Sequence, residues 1–203
     1  MILQHRGHCP KIAATARIAP TATIVGDVTI GDNCAIGYGA VLTAESGPIR
    51  IGDNVIVMDT AVLRGVKDAP LTIGSNVLIG PRSTLTGCTV EDEVFIATGA
   101  TVFNKAVLKA RSEVRVNAIV HLRTVLPEDA VVPLGWIAVG DPAKILPPEQ
   151  HDAIWAIQKP LDFPKTVFGV ERPPDGQSMM ADVMPRYARA LKRWHDDDRE
   201  VDG

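Results

Sequence analysis

One spacing constrains this chain more than any other: an apolar residue returns every sixth position. Ile12, Ile18, Ile24, Ile30, Ile36 and Leu42 open the series, Ile51, Val57 and Leu63 resume it after a break, and Ile73, Ile79 and Leu85 follow a second break. Val90, Ile96, Val102, Leu108, Val114, Val120, Leu126 and Val132 complete it, with one short step of five between Leu85 and Val90. A small or β-branched residue sits four places after most of these, as at Ala22, Val28, Cys34, Ala40, Val55, Ala61, Val77 and Ser83. Glycine often follows the apolar residue directly, as at Gly31, Gly52, Gly74 and Gly80.

A period of six fits neither a helix, which repeats at 3.6 residues, nor a plain strand, which repeats at 2. It fits a short strand, a corner and another short strand, and three such sides close a triangular coil. The apolar residue fills the inside of each side and the small residue fits near the corner. Gly with Asn or Asp (GDN at 31–33 and 52–54, GSN at 74–76) supplies turn conformations that bulkier residues resist. Coils stack about 4.8 Å apart, and each satisfies its backbone groups through its neighbours. An amphipathic β-sandwich with accidental spacing is the competing reading, and twenty positions in phase weigh against it. The expected fold is an all-β solenoid, a parallel β-helix of six-residue repeats.

Apolar residues make up 46% of the 203, but aromatics only 4%, so the core must be built from Ile, Val, Leu and Ala. A net charge of −3 argues against a general nucleic-acid binder, which needs clustered Lys and Arg. The chain has no run of 18 apolar residues, and no membrane span is expected. The opening MILQHRGHCPK lacks the long apolar stretch of a secretory signal. Cys9, Cys34 and Cys88 are an odd number without metal-type spacing. They read as reduced thiols of a cytoplasmic protein, with Cys34 and Cys88 as small buried hydrophobes.

Two breaks interrupt the repeat: a short excursion over 44–50 and an exposed loop over 65–72, which holds Lys67, Asp68 and Pro70. Loops ejected from a solenoid often build sites. The repeat ends at GDPAKIL, residues 140–146, so the expected division is a β-helix domain over 1–146 and a helical tail over 147–203. Residues 149–158 read as a short helix, 159–177 with four prolines as irregular, and a second helix is expected to begin near Pro185 and pack on the solenoid. The final DDDREVDG is expected to fray.

The repeat resembles that of the hexapeptide-repeat proteins, whose β-helices are left-handed; the hand is implied by that resemblance, since the usual crossover rule points the other way. Residues 36–146 further resemble the γ-carbonic anhydrase-like branch. The segments that carry the likeness are GAVLTAESGPIRIGDNVIVMDTAVLRG at 39–65, LTIGSNVLIGPRSTLTGCTVEDEVFIATGATV at 71–102 and VGDPAK at 139–144. The resemblance implies a homotrimer with zinc held by three histidines between neighbouring subunits. One histidine would stand before the loop after the middle coil, and two in an IGHxxxLHGC segment. Here those positions read Arg64, Pro81 and Thr86.

Catalytic zinc needs about three nitrogen or carboxylate donors in fixed places. Arg offers no lone pair and sets a permanent positive charge where the cation would sit. Proline has no donor side chain, and Thr alone is a poor ligand. Without metal, water keeps its high pKa and supplies no hydroxide to attack carbon dioxide near pH 7. Neighbouring family positions differ as well: AVLRGD reads AVLTAE at 40–45, and the Gln-Asp pair reads Met58-Asp59. No bound metal and no resident cofactor are therefore expected, and carbonic anhydrase activity is not. Elsewhere, His5 and His8 lie three apart without a third partner in view. Register places Thr43, Arg64, Thr86, Phe103 and His121 in one column, with His121 about 10 Å from Thr86 and read as a surface or interface histidine.

Three uses remain open. The remodelled inter-subunit cleft, with Tyr38, Thr43, Glu45, Asp59, Arg64 and Thr86, is either a salt-bridge network holding the trimer or a site for a small anionic or carbonyl-bearing ligand. In the second case Arg64 anchors the anion, Glu45 is the acid or base, and Asp59 is a further candidate. A CoA-dependent acyltransferase is the alternative, since GDPAK resembles the closing VGxPAK of that superfamily and His121 lies within the solenoid. A non-catalytic assembly component is the third, with Trp155, Tyr187 and Trp194 of the tail covering a partner.

Overall fold

The six-residue period becomes three flat faces. In the computed structural model, which describes residues 1–44, 46–174 and 176–201, the chain winds into a left-handed parallel β-helix of about eight turns. The first face holds ten strands and the other two hold seven each. Strands that pair in parallel are three apart along the chain, one full coil, and they pair in register: Leu42 stands beside Leu63, and Leu63 beside Leu85. Those three, with Ile24, Ile79, Ile96, Leu108 and Leu126, are fully buried in a core of Ile, Val, Leu and Ala.

The corners explain the remaining residue preferences. The third residue after most apolar positions takes a left-handed backbone, as at Asn33, Asn54 and Asn76, where Asn tolerates it. Arg82, Glu93 and Lys105 take the same conformation without that tolerance, so coil geometry overrides local preference there. Gly52 marks a close approach between coils: a Cβ at that position would lie 2.9 Å from the main chain of Gly74. The five-residue step is a tighter corner, in which Gly87 has a positive φ and Cys88 takes the buried small-residue place one position early. Ser83 fills the same role in its coil, fully buried, donating to the Ala97 carbonyl at 2.9 Å.

The three cysteines are free thiols; burial pushes the Cys88 thiol up to about 12 and raises that of Cys34 as well, so neither is a ready nucleophile. Among the described residues no helix is long and apolar enough to cross a membrane.

Lys144–Leu146 folds back antiparallel on Ile137–Val139 and closes the last coil. Helix α1, His151–Gln158, then packs on that coil through buried Ile154, with Ile157 against Gly140. The stretch read as irregular contains two helical turns, Lys159–Leu161 and Pro164–Phe168. Helix α2 spans Met180–His195 and so starts five residues before Pro185, which lies inside it. A proline lacks only one helical hydrogen bond near a helix start, and Ser178 Oγ accepts from the Met180 N–H at 3.2 Å to support the first turn.

The expectation that the final DDDREVDG frays is overturned for its described part; residues 202 and 203 lie outside the described residues. Asp198–Glu200 pairs antiparallel with Ile2–His5, so the end of the chain becomes an edge strand of the first face. The edge that the first coil would otherwise leave unpaired supplies the reason. The tail therefore runs the length of the first face, from the last coil back to the first.

Candidate functional site

The outward side chains of the first face alternate with the buried ones, and strand register stacks them in columns. Val25, Thr43, Arg64 and Thr86 are direct partners on successive coils. Phe103 and His121 continue the line, each one residue beyond a paired position. The column expected from the repeat is thus present.

The tail crosses this column. Phe163 packs edge-on against Phe103 at 6.4 Å, Phe168 against Phe163 at 5.9 Å, and Tyr187 of α2 against Phe168 at 6.4 Å. Between tail and column lies a cleft of about 410 Å³. Its solenoid side carries Arg64, Thr86, Asn104, Ser46 and Lys67, the last held by its own N–H donating to Ser46 Oγ at 2.8 Å. Its tail side is mostly apolar, with Phe168, Val170, Val183 and Ala190, joined by Arg186 and Tyr187. Three cations therefore converge on one cavity. Among the described residues no carboxylate lines it, and no ion pair involves Lys67 or Arg186. Such a cavity can receive an anion through charge-assisted hydrogen bonds.

The expected site residues divide. Arg64 and Thr86 stand together in the cleft. Thr43 lines a neighbouring cavity of about 170 Å³ under the C-terminal half of α2, with Leu191, Trp194 and His5. Tyr38 and Asp59 lie at the opposite end of the first face, where Asp59 Oδ1 accepts the Tyr38 N–H at 2.7 Å as a corner bond. Pro81 follows in that same corner column. None of the three lines the Arg64 cleft. Glu45 lies outside the described residues.

Four contributors were not anticipated. Lys67 belongs to a loop read as site-forming, and Asn104 is one residue past the column, so both had a signal. Arg186 and Tyr187 had none, because nothing in the repeat tells where a non-repetitive tail will lie.

Arg64, Pro81 and Thr86 do not compose a zinc donor set: one is a permanent cation, one has no donor, and Pro81 stands at the far end of the face from the other two. Among the described residues no three His, Cys, Asp or Glu cluster in a metal-holding group. Both ring nitrogens of buried His5 are engaged, Nδ1 with Asp198 at 2.8 Å and Nε2 accepting from Trp194 Nε1, so His5 and His8 offer no metal pair. His121 is not on the open surface. It is half-buried, stacks on Phe103 at 5.7 Å and buries Nδ1 without a hydrogen-bond partner among the described residues; that burial lowers its pKa. The tail aromatics each make a contact within the chain, Trp194 with His5, Tyr187 with Phe168 and Trp155 beneath Arg172, while Trp155 and Tyr187 remain 40% and 38% exposed.

Comparison with known proteins agrees with the coil geometry. Residues 10–44 match the family described as bacterial transferase hexapeptide (six repeats), and residues 70–104 match the hexapeptide repeat of succinyl-transferase. Over 143 residues the chain is 34% identical to gamma carbonic anhydrase 1, mitochondrial, of Arabidopsis thaliana, covering 68% of this chain and 50% of that protein. It is 33% identical over 106 residues to a carbonic anhydrase of Geobacillus kaustophilus, covering 52% of this chain and 58% of that one. The structure of a hexapeptide transferase family protein from Anaplasma phagocytophilum aligns with a TM-score of 0.52 at 29% identity, over 79% of this chain and 91% of that chain. The chain spans about half the length of the curated relatives it matches.

Proposed function

We propose, on the premise that this chain belongs to the γ-carbonic anhydrase-like family of hexapeptide-repeat proteins, that it is a member without zinc and without carbon dioxide hydration, whose cleft binds a small anionic or carbonyl-bearing ligand. One observation carries the reading. The guanidinium of Arg64 occupies the register position of the first zinc histidine, beside Thr86, on the floor of a cavity shared with Lys67 and Arg186. A cation there repels a metal and attracts what the metal site of a relative would otherwise hold, a negatively charged or polarised oxygen. Glu45, next in sequence to this face, is the group we assign to proton transfer if the bound ligand reacts.

The test has two arms. Protein purified without a tag should contain far less than one zinc per chain and should not accelerate carbon dioxide hydration. Calorimetry should detect inorganic phosphate or simple carboxylates, and Arg64→Ala should weaken that binding about tenfold or more, the loss of one charged hydrogen-bonding partner. Stoichiometric zinc, or anion binding indifferent to Arg64→Ala, would overturn the reading.

We further assign the chain to a homotrimer. Tyr38, Asp59 and Pro81 stand at the far end of the face from Arg64, and the third face exposes Ile56 and Phe95, 45% and 39% accessible, in support of burial against another copy. Light scattering should return three times the 21.7 kDa chain mass. The separate free thiols support a reducing compartment, the cytoplasm.

A second reading, CoA-dependent acyl transfer, draws on the likeness to the hexapeptide transferase structure and on His121 Nδ1, which has no hydrogen-bond partner among the described residues. Thiol release from acetyl-CoA abolished by His121→Ala would favour it over the first.

A further inference from the structure

The cleft is two-sided in its chemistry, and the two sides come from different parts of the chain. The solenoid contributes its polar floor, with Arg64, Lys67, Thr86 and Asn104; the tail contributes Phe168, Val170, Val183 and Ala190 opposite. An inorganic anion would use only the floor and would leave the apolar wall facing water. Val183 is itself almost wholly buried, and Phe168 is fixed between Phe163 and Tyr187 by edge-on ring contacts, so the wall is preformed. A cavity of about 410 Å³ exceeds what a phosphate or acetate ion fills and falls in the range of small organic ligands.

Building on the anion-binding reading above, we infer that the ligand is an amphiphilic carboxylate: a short alkyl or aryl acid whose carboxylate lies on the Arg64 and Lys67 side and whose hydrocarbon part lies against Phe168, Val170 and Val183. Lys67 and Arg186, in no ion pair among the described residues, supply charge-assisted donors that suit a carboxylate, and the guanidinium of Arg64 adds its positive charge beside them. Arg186 and Tyr187, on the helix that closes the cleft, line it from the tail side and add a positive charge and a hydroxyl to the apolar wall. The specificity of this site thus resides in the non-repetitive tail, and the charge recognition resides mainly in the repeat.

The experiment is calorimetric titration of the full-length protein with acetate, butanoate, hexanoate and benzoate, and with 1-hexanol as the uncharged control. Affinity should rise about fourfold for each methylene buried, hexanol should bind at least tenfold more weakly than hexanoate, and Val170→Ser should flatten the series by weakening hexanoate more than acetate. A flat series, with acetate and hexanoate equal in the unaltered protein, overturns this inference and leaves the anion site standing. Hexanol binding as tightly as hexanoate overturns both, as does the absence of binding by every acid and by phosphate.

Discussion

Trp194, near the end of α2, donates its indole N–H to Nε2 of His5 in the first strand, and so ties the last helix of the chain to its first coil. His5 Nδ1 meets Asp198 at 2.8 Å, and the guanidinium of Arg6 lies 5.9 Å over the Trp194 ring. An indole can only donate, so His5 must present a bare Nε2 and carry its proton on Nδ1, facing the carboxylate. Replacing Trp194 by Phe keeps most of the ring and removes the donor, which leaves a buried imidazole nitrogen unsatisfied. The expected loss is about 1–3 kcal/mol in denaturant unfolding, with faster proteolysis across 159–178 as the strap loosens. Unfolding and digestion both unchanged from the parent would show that the strand pairing of 198–200 alone anchors the tail.

That strap also marks the border of what the sequence makes legible. The coil, its register and its buried residues follow from period alone, because each coil repeats the environment of the one before it. Thr43, Arg64 and Thr86 could be placed on one line before any coordinate was known. Lys67 sat in a loop already read as site-forming. The tail obeys no such rule: Asp198–Glu200 is three charged residues that would read as solvated, yet it pairs with Ile2–His5 because an edge strand needs backbone partners, whatever its side chains. Arg186 and Tyr187 enter the cleft for the same reason, a docking decided by tertiary packing.

Gly52 is a site where spacing between coils leaves no room for a side chain. Its φ is unremarkable, so the cost of Gly52→Ala is steric: the new Cβ would meet Ser75 Oγ at 2.8 Å and the Gly74 main chain at 2.9 Å. Overpacking of this kind costs about 1–3 kcal/mol. The melting temperature of Gly52→Ala should fall by several degrees. An unchanged melting temperature would count against coil contact at this position.

His121 gives the fold a pH dependence whose sign is fixed by burial. Removal from water disfavours the imidazolium and lowers the folded-state pKa below 6.5, while the unfolded chain titrates near 6.5. Below that value the unfolded state binds the proton more readily than the folded state, so stability falls as pH drops from about 6.5 toward the lowered pKa. Above about pH 7 the effect vanishes. In His121→Leu, urea midpoints measured between pH 5 and 7.5 should show a shallower slope than the parent. An equal or steeper slope would place the titrating group elsewhere.

The zinc positions can be tested by restoring them. Arg64 and Thr86 are partners on adjacent coils, about 4.8 Å apart along the stack, a separation that two imidazoles can bridge to one ion. Pro81 is at the other end of the face and cannot join them within one chain. Arg64→His with Thr86→His should therefore give two donors and weak zinc binding. Adding Pro81→His should give about one zinc per chain only in protein that is trimeric, because the third donor must come from a neighbouring copy. Dilution below the trimer's dissociation range should release the metal in step with the loss of mass in light scattering. Zinc held equally well by a monomer would place all three donors on one chain and contradict the corner assignment of Pro81. A trimer of the triple variant that takes up no zinc would mean that the register linking these three positions to the relatives' histidines is wrong.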